Sequence, residues 1–140
     1  MYGSKSFSYF LRLSIAITLL SFYSDFAQAQ SSIWQVPKSA INVKNPVAQS
    51  AASAQSGKAL YSTYCTPCHG KKGSGDGPAA AALNPKPADH TSAKVQAESD
   101  GTLFWKLSEG HSPMPAYQAV LTATQRWDLV NYIRTLAKKK

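Results

Sequence analysis

The chain has 140 residues, only two cysteines and a formal net charge of +8. That length allows one domain, and a domain so small buries a modest core and usually needs a staple such as a metal or disulfides. The cysteines, Cys65 and Cys68, are too close in sequence for a disulfide to remove much unfolded-state entropy, so any stabilisation through them points to a bound group. The basic balance favours an acidic partner or an anionic surface; nucleic acid is disfavoured, because the basic residues are dispersed and no nucleic-acid motif is present.

Residues 1–29 read as a secretory leader. Lys5 and Arg12 make a positive n-region, Leu11 to Phe22 is mostly apolar, and Ala27-Gln28-Ala29 is a small-x-small cleavage site. Cleavage after Ala29 predicts an exported, periplasmic chain starting at Gln30. The alternative is an uncleaved N-terminal membrane anchor, but the apolar run is shorter than the about 20 residues that a span needs.

Residues 30–55 read as a flexible extension or linker, small and polar, with Pro37 and Pro46 interrupting regular structure. The domain is expected over 56–140. Ser56 is the expected cap of a first helix from Gly57, with Gly57, Leu60, Tyr61, Tyr64 and Cys68 at helical spacing and Gly70 as terminator. Residues 70–98 are rich in glycine and proline and read as loop, with one short helical turn over Ala79 to Leu83. Asp100 is the expected cap of a second helix that carries Leu103, Phe104 and Leu107 and ends at Gly110. Thr122 with Gln125 resembles a capping box for the last helix. There Leu129, Tyr132, Ile133 and Leu136 form one apolar face, widened by Trp127 and Val130. The mature chain has no period-2 pattern, so the fold class is all-α: three main helices and long loops.

The chemistry concentrates in Cys65-Thr66-Pro67-Cys68-His69, the C-x-x-C-H signature of c-type haem attachment. Two thiols two residues apart at a helix end reach neighbouring porphyrin vinyl groups and leave thioethers. The histidine directly after them sits beneath the iron as proximal ligand. One covalent haem c is therefore expected. A thioredoxin-like redox pair would need a βαβ context, which is missing. A zinc site from Cys65, Cys68, His90 and His111 would have unusual spacings and leave His69 idle.

Met114 is the only methionine after the leader and stands between Pro113 and Pro115. Two prolines stiffen the backbone, and a stiff loop suits a thioether held against iron. The expected metal ligands are His69 and Met114, with His90 and His111 as competing sixth ligands.

Residues 56–137 resemble a class I, monohaem c-type cytochrome of bacterial periplasmic type. The resemblance rests on Cys65 to Gly70, on Pro113-Met114-Pro115 and on the terminal helices. The stretches Gly75-Asp76-Gly77-Pro78 to Leu83 and Pro85-Lys86-Pro87-Ala88-Asp89 resemble a bacterial subgroup of carriers and cytochrome subunits. The resemblance implies that Gly57 and Tyr61 pack against the last helix near Leu129 and Tyr132. It implies that a proline carbonyl accepts the second N–H of His69, with Pro78 as candidate and Pro85 as alternate. Leu83, Phe104, Trp105 and Leu107 are the expected apolar shell of the cofactor. His90 departs from the pattern, standing where an apolar or aromatic residue is expected.

The implied function is electron transfer by iron cycling between ferric and ferrous states, in a respiratory or other redox chain, by a carrier rather than an enzyme. Lys71, Lys72, Lys86, Lys94 and Lys106 are candidates for steering an acidic redox partner. The alternatives are a haem-bearing subunit of an oxidoreductase complex, including a membrane respiratory complex, and a haem peroxidase or ligand sensor if Met114 is displaceable.

Overall fold

The computed structural model describes residues 34–138, so the expected leader and its expected cleavage site lie outside the described residues. From Val36 onward the described residues form one compact unit. Six helices follow in order: α1 (Lys38–Ile41), α2 (Ala51–Tyr64), α3 (Thr66–His69), α4 (Ala93–Gln96), α5 (Asp100–Glu109) and α6 (Ala123–Thr135). A 3-10 turn over Ala80–Ala82 lies between α3 and α4. Among the described residues there is no strand, and no helix is long and apolar enough to cross a membrane.

The first long helix starts earlier than its apolar periodicity suggests. Ser50, not Ser56, is the N-cap, and its Oγ accepts from the Ser53 N–H at 3.1 Å. Ala51, Ala52 and Ala54 then propagate the helix by intrinsic propensity. Their side chains are too small to mark an apolar face, which is why the periodicity begins only at Gly57. Similarly, α5 is capped by Ser99, whose Oγ accepts from the Thr102 N–H at 3.1 Å, while Asp100 occupies the first helical position. The capping box of α6 forms as expected: Thr122 Oγ1 accepts from Gln125 N–H, and Gln125 Oε1 accepts from Thr122 N–H.

Two contacts hold the three long helices together. At the crossing of α2 and α6, Gly57 lies so close to the Asp128 carbonyl that an added Cβ would overlap it, and would come within 2.8 Å of Tyr132 Cβ. One turn on, Tyr61 packs edge-on against Tyr132 with ring centroids 5.1 Å apart. Between α5 and α6, Phe104 stacks on Trp127 at 4.0 Å, with the Arg126 guanidinium 4.8 Å from the Phe104 ring centre. Phe104 is thus committed to the helix interface. With Trp105 it also lines a surface cavity shared with Ala40 and Val43. Leu103 and Leu107 are buried in the core with Leu129, Val130 and Ile133.

The segment 36–55 is docked, not loose, which corrects the expected extension and the boundary at 56. Ala40 of α1 is buried, and Ser99 Oγ donates to the Ile41 carbonyl at 2.8 Å. The main tether is Asn131 in α6, which is 1% exposed. Its Oδ1 accepts from Asn45 Nδ2 at 2.8 Å, and its Nδ2 donates to Ser53 Oγ at 2.7 Å and toward the Val47 and Ala48 carbonyls. Val47 adds an apolar contact to the core. Composition reads this stretch as polar and therefore solvated, yet its polar groups are satisfied by partners more than eighty residues away.

Asn131→Leu strips several partners at once from a buried network and is expected to cost about 1–3 kcal/mol. In a domain of this size that lowers Tm by at least about 4 °C. Thermal unfolding followed by circular dichroism measures it, and a loose extension would leave Tm unchanged. Gly57→Ala overpacks the helix crossing and is expected to cost about 1–3 kcal/mol by the same measurement.

Candidate haem site

The attachment residues stand at the joint between α2 and α3. Cys65 closes α2, its N–H donating to the Tyr61 carbonyl at 2.9 Å, and also caps α3. Pro67 sits in the first turn of α3, where its missing N–H has no intrahelical acceptor to lose. Gly70, with φ of 77°, ends α3 in a conformation that other residues avoid. The glycine-rich loop then folds back under α3 and satisfies its terminal carbonyls. Gly75 N–H donates to His69 O at 2.9 Å, Gly77 N–H to Cys68 O at 3.1 Å and Ala79 N–H to Pro67 O at 2.9 Å. The alternating glycines therefore serve a close backbone approach beneath the attachment helix.

The His69 side chain is buried and its Nδ1 lies 2.9 Å from the Ala88 carbonyl. A carbonyl only accepts, so Nδ1 carries the proton and Nε2 keeps its lone pair for a metal. Burial also lowers the His69 pKa below the usual value, against a smaller opposite effect of the Ala88 bond, which favours the neutral ligating form. The acceptor is neither Pro78 nor Pro85, which corrects the expectation from the resemblance. Pro78 is exposed in the turn before the 3-10 segment, and the chain reaches His69 only after Pro87, where the backbone passes Gly75. A backbone carbonyl carries no side-chain signal, so Ala88 was not legible in sequence. Leu83 is half-buried and does not belong to the core cluster.

The two cysteines form no disulfide with each other, and Cys65 is buried and Cys68 half-buried. Burial, helped by Cys68, pushes the Cys65 thiol up to about 12. Among the described residues no three His, Cys, Asp or Glu side chains gather into a metal cage, and the four zinc donors considered from sequence do not assemble. Two neighbouring cysteines beside a neutral, oriented imidazole fit a covalently attached haem.

The loop that carries Met114, the expected second ligand, packs against the cluster that contains Cys65. His111 and Met114 exchange two backbone hydrogen bonds, at 2.9 and 2.8 Å, closing a tight turn around Pro113. Tyr117 then anchors the loop. Its N–H donates to the Leu107 carbonyl, its OH donates to the Tyr64 carbonyl at 3.0 Å, and its ring meets Tyr64 edge-on. The Tyr117 hydroxyl is pushed up to about 12, first by burial and then by Cys65 and Cys68, which places the loop beside the attachment residues. Met114 is half-buried against the cluster that contains Cys65 and Tyr117. The Tyr117 clasp was missed from sequence, although an aromatic three residues after the methionine was available as a signal.

His90 does not stand as a sixth-ligand competitor. Its ring lies flat on that of His69, with centroids 4.1 Å apart and planes 17° apart, and its Nδ1 is bonded to the Tyr61 hydroxyl at 3.0 Å. It is packed on His69 rather than across the site from it. Burial, then His69, pushes its pKa down to about 3. Of the candidate lysines, Lys71, Lys72 and Lys94 are exposed. Lys86 donates to the Ala80 and Ala81 carbonyls, and Lys106 pairs with Glu98.

Comparison with known proteins agrees with this geometry. A family model described as cytochrome c oxidase, cbb3-type, subunit III matches residues 52–133, from the start of α2 nearly to the end of α6. No curated protein matches. Among solved structures, a chain of the reducing HAO-like protein complex of Kuenenia stuttgartiensis is similar, with a TM-score of 0.62 and 28% identity over 69% of this chain. The match spans 50% of that chain, about half its length. The Cys65-to-His69 joint, the imidazole aimed by Ala88 and the family match over all three long helices converge on one assignment: the chain belongs to the cbb3-type subunit III family of cytochromes, and its domain is a class I c-type cytochrome, a domain of the haem-based electron-transfer kind.

Proposed function

We propose that this protein is an exported one-electron relay with one haem c, attached through Cys65 and Cys68 and ligated by His69 and Met114. Haem iron supplies reversible ferric–ferrous chemistry when bound. The chain's own residues do the rest. Ala88 holds the His69 proton on Nδ1, directs Nε2 to the metal and raises ligand basicity. The His111–Met114 turn and the Tyr117 anchor hold the thioether in a fixed loop, so that a change of charge on the iron meets little rearrangement. A methionine ligand favours a higher potential than a second histidine would. The observation that carries this reading is the Tyr117–Tyr64 bond, because it ties the methionine loop to the helix end that bears the attachment cysteines.

A filled sixth position makes a carrier or relay the leading reading over a peroxidase or sensor. The second reading is a fixed subunit of a larger redox assembly, supported by the family description and by the neighbour's place in a protein complex. In either case Lys71 and Lys72, exposed beside the attachment helix, would face an acidic partner. The leader features Lys5, Arg12 and Ala27-Gln28-Ala29 support export to the periplasm with Gln30 as the new N-terminus.

Met114→Ala is expected to abolish the ferric methionine–iron charge-transfer band, lower the reduction potential and open the ferrous protein to rapid carbon monoxide binding. Wild type should bind carbon monoxide slowly. A wild-type spectrum in the variant would remove Met114 from the ligand set. The electron-transfer rate to an acidic partner should fall steeply as salt rises, since exposed charges are screened beyond about 8 Å at 0.15 M. A flat salt profile would rule out lysine-steered docking.

A further inference from the structure

Tyr61 and His90 form a buried polar pair. Tyr61 is 1% exposed and His90 is 9% exposed. Two phenyl rings would fill similar space without the cost of desolvating a hydroxyl and an imidazole. Asp89, next to His90 and partly exposed, and Asp76 are the nearby charges, but the pair makes no hydrogen bond to either. What it does contact is the face of His69.

The Ala88 bond constrains His69 at one atom. Carbonyl acceptors tolerate a broad range of approach, so a single hydrogen bond leaves the imidazole plane free to swing about its Nδ1 anchor. The His90 ring, 4.1 Å away and nearly parallel, removes that swing, because a rotated His69 ring would run into it. His90 is itself pinned at three points. Its N–H donates to Gly73 O at 2.7 Å, its carbonyl accepts from Gln96 Nε2 at 2.6 Å, and its Nδ1 shares a hydrogen bond with the Tyr61 hydroxyl. Tyr61 is wedged in turn against Tyr132. A phenyl ring at position 90 would stack but would lack the Tyr61 anchor that sets its plane.

We propose that Tyr61 and His90 act as a positioning pair that fixes the rotational setting of the His69 imidazole, and through it the electronic state of the bound iron. This rests on His69 being an axial ligand, as read above. The arrangement is hierarchical: Ala88 aims the ring, His90 sets its plane, and Tyr61 holds His90. Since Tyr61 works through His90, removing both should do no more than removing His90.

The test compares ferric wild type, Tyr61→Phe, His90→Ala and the double variant, all with covalent haem. The readouts are the pattern of hyperfine-shifted haem methyl resonances and the reduction potential. Both singles are expected to shift pattern and potential in the same direction, His90→Ala more strongly, and the double variant should match His90→Ala. Asn131→Leu, which loosens the fold far from His69, should be destabilised yet keep the wild-type pattern. A wild-type pattern and potential in both single variants, or an equal shift in Asn131→Leu, would overturn the proposal while leaving His69 ligation intact. A wild type without low-spin, histidine-ligated haem would overturn the ligand assignment and this inference together.

Discussion

The crossing of α2 over α6 at Gly57 sets the distance on which the rest of the molecule depends. Only a residue without a side chain lets the two backbones meet at the Asp128 carbonyl. The consequence runs outward along α2. With the helix axis fixed, Tyr61 falls against Tyr132 one turn later, and Cys65 follows at the helix end. The attachment cysteines are therefore positioned by a helix contact two turns away from them. A small domain with a modest core gains precision in this way, because interior packing is close and transmits displacement.

Around that crossing, backbone carbonyls do much of the positioning. Ala88 orients His69, Tyr64 receives the Tyr117 hydroxyl, and the loop from Gly73 to Ala79 closes the end of α3. Arg134 in the last turn of α6 binds the Gln96 and Glu98 carbonyls and pairs with Asp100, while Gln96 joins His90 to Ile133. The long loops are thus irregular in conformation but well satisfied in hydrogen bonding, as buried backbone requires. That accounts for a fold with few regular elements that still holds the segments of His69 and Met114 in place.

Two groups of buried polar side chains tie distant segments together. Asn131 ties segment 45–48 to the last helix, and the Tyr61–His90 pair stands behind the proximal histidine. The Asn131 network uses both its amide oxygen and its amide nitrogen, which is the condition under which buried polarity gives rigidity instead of strain.

The sequence alone determined the attachment chemistry, because Cys65, Cys68 and His69 are covalent neighbours and their spacing is local. It also determined the all-α class, through helical periodicity and the capping residues of α6, whereas the contact of Gly57 and Tyr61 with the last helix was implied only by the resemblance to class I c-type cytochromes. It misplaced the start of α2, since alanines carry helix propensity without an apolar stripe, and it read 36–55 as loose because the partners of Asn45 and Val47 lie in α6. Tertiary structure alone decided which carbonyl orients His69, that His90 stacks beside it rather than competing from across the site, and that Tyr117 clasps the methionine loop to Tyr64. Those choices are made by backbone groups and by residues distant in sequence, and neither leaves a pattern along the chain.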